Sequence, residues 1–116
     1  MDGVADSLQR ELSQALSSLA DLRVEFAGLA DPDVVALDDE HDSEGATIGF
    51  ERARIAGLMA RTERRIAALE AAVERAADGS YRYCERCGGE IGAERLEALP
   101  GTRLCVACSA AGPSPL

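Results

Sequence analysis

The chain has 116 residues, of which 47% are apolar but only 3% aromatic, so its core is expected to consist of aliphatic side chains and alanine. Such a core suits paired helices better than ring-packed layers. The formal net charge of −9 excludes a protein that binds DNA directly through its phosphates, because two polyanions repel each other. No stretch approaches the ~20 consecutive apolar residues of a membrane span, so no membrane partner is expected.

The first thirty residues carry a heptad pattern. Apolar residues follow one another at alternating steps of four and three. They are Leu8, Leu12, Ala15, Leu19, Leu22, Phe26 and Leu29. This spacing predicts an amphipathic helix whose apolar seam packs against a second helix.

An acidic segment follows this helix. Residues 31–44 contain seven Asp or Glu. Pro32, near the start of this segment, and Gly45, directly after it, are residues typical of turns. The five acids expected nearest the turn are Asp38, Asp39, Glu40, Asp42 and Glu44. Because clustered like charges add nothing to a core, we expect this segment, about residues 31–47, to bind a basic surface, a cation or a partner's metal centre. A solvated loop is the alternative interpretation.

A second heptad seam lies beyond the acidic segment. Its members are Ile55, Met59, Thr62, Ile66, Leu69, Val73 and Ala76. We expect this helix to start with Asp42 as N-cap and Glu44 in the first turn, and to end near Ala77 with Gly79 as a left-handed stop. Antiparallel pairing of the two seams, Leu8 opposite Ala76 and Leu29 opposite Ile55, centres the turn near residue 42. The predicted fold is therefore mainly α, an antiparallel two-helix coiled-coil hairpin with an acidic tip, complete as a monomer.

Four cysteines near the C-terminus form two C-x-x-C pairs separated by 17 residues: Cys84, Cys87, Cys105 and Cys108. Two such pairs supply the four thiolates of a tetrahedral zinc site. Disulfides are the competing interpretation, but the N-terminus shows no apolar export signal, so a reducing cytoplasmic setting is expected. A redox-active thioredoxin-like motif would use one C-x-x-C in an α/β domain. We therefore predict one structural Zn²⁺ in a small four-cysteine zinc finger.

Around these cysteines we expect a small apolar core and a set of offsetting cations. The core candidates are Ile91, Leu96, Leu99 and Leu104, and the cations are Arg82, Arg86, Arg95 and Arg103. Either the arginines balance the thiolate charge, or they contact a partner.

Nothing in the sequence predicts an enzyme. Four thiolates leave the metal no open position, and no phosphate-binding glycine motif occurs. His41 is the only histidine, and it lies in the acidic segment away from every cysteine, where a surface role is expected.

The cysteine region resembles the zinc-finger signature of the DksA/TraR family. The resemblance is carried by the run from Asp78 to Ile91, which includes C-E-R-C-G-G-E-I, by R-L-E-A-L-P at residues 95–100, and by the second C-x-x-C. The family's tip pattern D-x-x-D-x-A is approximated by Asp39-x-x-Asp42-x-Glu44, with Glu in place of the small residue. The helix that follows the finger in the family is expected to be cut short here by Gly112 and Pro113.

The resemblance implies a cytoplasmic transcription regulator that binds RNA polymerase directly. Members of the family insert a coiled-coil hairpin into the polymerase secondary channel and bring acidic tip residues toward the catalytic magnesium. The domains expected on this basis are a hairpin over residues 1–77, a zinc finger over 78–110 and a tail over 111–116. The alternative function is a zinc-stapled protein–protein adaptor or thiol redox sensor that does not act on polymerase.

Overall fold

The computed structural model describes residues 2–29 and 42–112, of which residues 2 and 42–45 are described by their backbone only. This part of the chain contains four helices: α1 (Asp2–Gly28), α2 (Asp42–Asp78), α3 (Ala93–Ala98) and α4 (Val106–Ala110). No sheet occurs within the described ranges, where the extended pairing is an isolated antiparallel bridge between Tyr83 and Glu90. The fold is mainly α, which confirms the prediction.

The ends of α2 lie close to those that the sequence predicts. The helix begins at Asp42 and ends at Asp78, one residue beyond the expected end. Gly79 follows with φ of 86°, and the Ser80 amide donates to the Arg75 carbonyl at 3.0 Å. This bond closes a Schellman motif, so the left-handed glycine ends the helix as expected.

Both heptad seams point away from solvent. None of the fourteen seam residues is exposed, and those that are buried are Leu8, Ala15, Leu19, Ile55, Ile66 and Leu69. Leu16 and Val24, which lie outside the seam on α1, are 48% and 73% exposed. Position in the heptad, more than apolar character, therefore decides which side chains of α1 are covered.

One compact unit comprises residues Gln14–Arg64. Within it α1 and α2 run antiparallel. Arg23 of α1 pairs with Glu63 of α2 at 4.0 Å, whereas Arg52, eleven residues before Glu63, bonds to Leu29, which directly follows the end of α1 and lies six residues after Arg23. The seam residue Thr62 is half-buried, and its hydroxyl donates to the Leu58 carbonyl at 2.8 Å. The polar group is thus satisfied within its own helix, which explains why the seam tolerates it.

The other compact unit comprises Met1–Ser13 and Arg65–Leu116. Here Glu11 of α1 forms an ion pair with Arg65 of α2. Buried side chains come from both helices and from the segment after them, with Leu69 and Ala72 of α2 both only 1% exposed. The cysteine-bearing segment therefore shares a core with the first turns of α1 and the last turns of α2.

Candidate metal centre

The four cysteine sulfurs form one cluster. The Sγ atoms of Cys84, Cys87, Cys105 and Cys108 all lie within 4.8 Å of one another. The Cys87 and Cys105 sulfurs are 3.8 Å apart, and Zn–S bonds of about 2.3 Å in a tetrahedron imply S···S edges of about 3.8 Å. The donor set and its spacing fit one four-coordinate zinc ion with no open position.

The first C-x-x-C turn is shaped by a glycine in the left-handed region. Gly88 has φ of 77°, and its amide donates to the Cys84 carbonyl at 2.9 Å. The Cys84 amide in turn donates to the Gly89 carbonyl at 2.8 Å, and the Gly89 amide points at the Cys87 sulfur at 3.4 Å. These bonds fold the chain tightly enough to place two sulfurs on one side of the turn.

The second pair lies at the start of α4. Cys105 is the N-cap of this helix, and its sulfur accepts the Cys108 amide at 3.4 Å. The two turns are joined by the Glu85 amide, which donates to the Arg103 carbonyl at 2.9 Å. Each C-x-x-C turn therefore offers a sulfur that already accepts a backbone N–H, as metal-bound thiolates do.

The pKa values of the thiols diverge within the cluster. Backbone N–H groups, chiefly that of Cys105, lower the pKa of Cys84 to about 6. The Cys108 amide lowers the pKa of Cys105, whereas a hydrogen bond to Cys105 raises the pKa of Cys108 to about 12. Some thiols therefore ionise readily, but all four ionise together only if a cation compensates their charge, as zinc does when it binds and releases protons.

A buried arginine attaches the finger to α2. Arg75 is 8% exposed, and its guanidinium donates to the carbonyls of Tyr83 at 3.0 Å, Thr102 at 3.3 Å and Ser80 at 3.5 Å. Tyr83 directly precedes the first C-x-x-C, Thr102 lies shortly before the second, and Ser80 lies just after the end of α2. One side chain thus connects both halves of the finger to the helix that carries it.

A tyrosine makes a second connection. Tyr81 is 3% exposed, and its hydroxyl donates to the Pro100 carbonyl at 2.8 Å. Burial raises the pKa of this phenol above its ordinary 10.0. The sequence interpretation missed the roles of Arg75 and Tyr81, although Tyr81 lies inside the quoted signature.

The expected finger core is confirmed except at one position. Ile91 is 6% exposed, and Leu96 and Leu104 are half-buried, but Leu99 is 50% exposed. The prediction for Leu99 was wrong because this residue is the C-cap of α3, a six-residue helix none of whose residues is buried.

The four arginines of the finger bond to oxygen atoms. Arg86 donates to the carbonyls of Cys108 at 3.0 Å and Gly112 at 2.7 Å, and Arg95 donates to that of Leu104 at 2.9 Å. The remaining two form exposed ion pairs, Arg82 with Glu90 and Arg103 with Glu85. They therefore brace the loops around the sulfurs. As expected, α4 is short and ends at Ala110, with Gly112 at φ of 79°.

The structure does not describe the side chains of the predicted tip. Asp38, Asp39, Glu40 and His41 lie outside the described residues. Asp42 and Glu44 are described by their backbone only, in the first turn of α2. The role of these acids remains a prediction. None of the helices in the described part of the chain has the length and apolarity to cross a membrane.

The cysteine cluster and its two turns define a C4-type zinc finger. Residues 79–110 match the profile of the prokaryotic DksA/TraR C4-type zinc finger, which confirms the resemblance, and this segment is a zinc finger of the DksA/TraR family.

Curated relatives match part of the chain. The RNA polymerase-binding transcription factor DksA of Escherichia coli (strain K12) is 42% identical over 48 residues, which cover 41% of this chain and 32% of that protein. DksA of Haemophilus influenzae is 42% identical over 40 residues, or 34% of this chain and 28% of that protein. The chain thus aligns with about a third of the length of these relatives.

A solved structure matches nearly the whole chain. Transcription factor DksA2 from Pseudomonas aeruginosa superposes with a TM-score of 0.79 at 23% identity, covering 95% of this chain and 80% of that one. At this identity the match establishes the fold, a helical hairpin joined to a cysteine-rich module.

Proposed function

We propose that this protein is a transcription regulator that binds RNA polymerase directly and acts through the acidic tip of its helical hairpin. The observation that carries the proposal is the combination of a DksA/TraR zinc finger with a fold that matches DksA2 over 95% of the chain. The matched curated relatives are named RNA polymerase-binding transcription factors. A polymerase partner implies a cytoplasmic protein.

In this proposal the tip enters the polymerase secondary channel. The 37 residues of α2 correspond to about 55 Å of helix at 1.5 Å per residue, which supplies the necessary reach. The carboxylates of Asp39 and Asp42 would be held by basic groups near the catalytic magnesium, since opposite charges steer and orient such contacts. The zinc finger would hold the base of the hairpin against the enzyme surface. For this function we retain the division into hairpin (1–77), finger (78–110) and tail (111–116), acting as a monomer.

The metal in this scheme is structural. Cys84, Cys87, Cys105 and Cys108 would hold one zinc ion whose chemistry is to crosslink two turns of chain. With all four positions taken by thiolates, the proposed function is regulatory and not enzymatic. The net charge of −9 favours a protein partner over promoter DNA.

The double variant Asp39→Ala/Asp42→Ala tests the tip. We expect it to fold and bind zinc as the wild type does, but to lose the effect on transcription by purified polymerase. Asp6→Ala/Asp21→Ala is the matched control, since it removes the same charge from exposed positions on α1 and should act normally. A full transcriptional effect from the tip variant would overturn the proposal.

One observation favours a second candidate function. Cys87 is exposed, whereas Cys84 is buried, so an oxidant in solution could reach part of the cluster. A zinc-stapled adaptor with thiol redox sensing would release zinc reversibly under mild oxidant and leave polymerase behaviour unchanged. Parallel zinc-release and transcription assays on one preparation separate the two functions.

A further inference from the structure

Arg52 lies one step of the heptad pattern before Ile55, the first residue of the apolar seam of α2. It lies seven residues before the seam residue Met59, a position at which the heptad repeat calls for an apolar side chain. The residue is half-buried, and its guanidinium stacks over the Phe26 ring of α1 at 4.1 Å from the centroid. An arginine thus occupies the place where the two helices would otherwise continue their apolar contact.

The guanidinium also bonds to the end of α1. Arg52 Nη1 donates to the Leu29 carbonyl at 3.0 Å and approaches the Phe26 carbonyl at 3.5 Å. The last carbonyls of a helix have no partner within it, and the last turn of α1 contains no basic residue of its own. The Phe26 carbonyl already accepts the Leu29 amide at 3.2 Å, so the cation from α2 chiefly satisfies the Leu29 carbonyl and complements the negative end of the helix dipole.

The planar fork of arginine suits this combination of contacts. It can lie flat on an aromatic ring while its edge donates to backbone oxygen, whereas a lysine ammonium is a point charge without a planar face. A leucine or methionine at a seam position would contribute packing to the helix pair without desolvating a charge. Core stability alone does not account for an arginine here, but fixing the end of α1 does.

We propose that Arg52 is a positioning residue that fixes the direction in which the chain leaves α1 at Leu29, and through it the acidic segment that follows in sequence. This inference rests on the proposed function, because the value of the fixed exit is to present the tip carboxylates to a basic partner. Arg52 itself contacts α1 and not the partner.

The two phenylalanines of the chain provide a direct readout. In protein labelled with fluorophenylalanine, Phe26 reports on the stacked guanidinium, while Phe50, 79% exposed, serves as an internal reference. Arg52→Met should shift the Phe26 ¹⁹F resonance, leave that of Phe50 in place and accelerate amide exchange at Leu29 by roughly tenfold. The urea midpoint should stay near that of the wild type. Arg61→Met, at an exposed arginine of the same helix, is the control and should change none of these.

A second experiment uses transcription by purified polymerase. It measures the concentration of this protein that gives half of the maximal effect. Arg52→Met should raise this concentration roughly tenfold or more, since small misplacements of an acting group are costly, and Arg52→Lys should restore it only in part. Wild-type activity in Arg52→Met would overturn the proposal. So would full activity in Arg52→Lys combined with a lowered urea midpoint in Arg52→Met, because the residue would then act only through stability.

If the wild-type protein has no effect on polymerase, the proposed function fails, but the positioning role of Arg52 does not fail with it. The positioning role is then decided by the spectra and by amide exchange. An unmoved Phe26 resonance and unchanged exchange at Leu29 in Arg52→Met overturn it, whereas a shifted resonance with faster exchange supports the fixed exit for whichever partner the tip binds.

Discussion

Replacing Arg75 with methionine should weaken the attachment of the finger to α2. The variant keeps a long apolar side chain but removes the donor from the carbonyls of Tyr83 and Thr102, at 3.0 and 3.3 Å, and from the longer contact to Ser80. An acceptor left without a partner costs about 1–3 kcal/mol when it is fully buried, so these two part-buried acceptors cost at most about 2–6 kcal/mol. Relief from burying the guanidinium offsets part of this, and we expect a net loss of about 2–4 kcal/mol in the free energy of unfolding.

Urea titration at a fixed excess of zinc measures this loss, because metal concentration itself shifts the apparent stability. A chelator added to the folded protein should also withdraw zinc several-fold faster from Arg75→Met than from the wild type. Arg61→Met removes an exposed arginine from the same helix and should stay within about 0.5 kcal/mol of the wild type. If Arg75→Met is as stable as that control and releases zinc at the wild-type rate, the finger is not held by this side chain.

Two further substitutions test the finger's contacts. Gly101→Ala would bring a Cβ to 3.0 Å from the Ala68 Cβ and should destabilise the protein by about 1–2 kcal/mol. Its control, Gly57→Ala on an open helix surface, should stabilise the protein by about 0.5–1 kcal/mol. Equal urea midpoints for these two variants would refute the close approach of Gly101 to Ala68. Tyr81→Phe should cost about 1 kcal/mol at neutral pH through the lost bond to Pro100. Because the pKa of Tyr81 is raised in the folded protein, its contribution to stability is fully present below the ordinary 10.0 and is lost as the pH rises through the folded pKa. The difference in unfolding free energy between the wild type and Tyr81→Phe should therefore disappear in alkaline solution. A difference that stays constant with pH would contradict the bond from Tyr81 to Pro100.

The hairpin and the metal ligands could be predicted from sequence because both follow local spacing rules. A step of four and three places side chains on one face of a helix whatever the partner, and all fourteen seam residues are covered as a result. Two C-x-x-C pairs limit the metal geometry in the same local way, and the sulfurs cluster within 4.8 Å. Gly79 ended α2 as predicted, because a left-handed position after a helix favours glycine.

The contacts that join elements could not be predicted in this way. Arg75 and Arg52 bond to backbone carbonyls that are far away in sequence, and a carbonyl carries no residue-specific signal. An arginine in or beside a seam is the one signal in the sequence. It indicates that a hydrogen-bond acceptor lies opposite, but it does not identify that acceptor. Leu99 was misassigned because a helix as short as α3 contains too few residues to establish which face is covered.

The proposed function requires the acidic tip to meet the catalytic region of RNA polymerase. A photo-crosslinking amino acid at position 42, in the full-length zinc-loaded protein mixed with core polymerase, tests it most directly. We expect adducts with polymerase segments that border the catalytic magnesium, and their loss when unlabelled wild-type protein competes. Adducts confined to other surfaces of the enzyme, or none at concentrations that alter transcription, would contradict the claim.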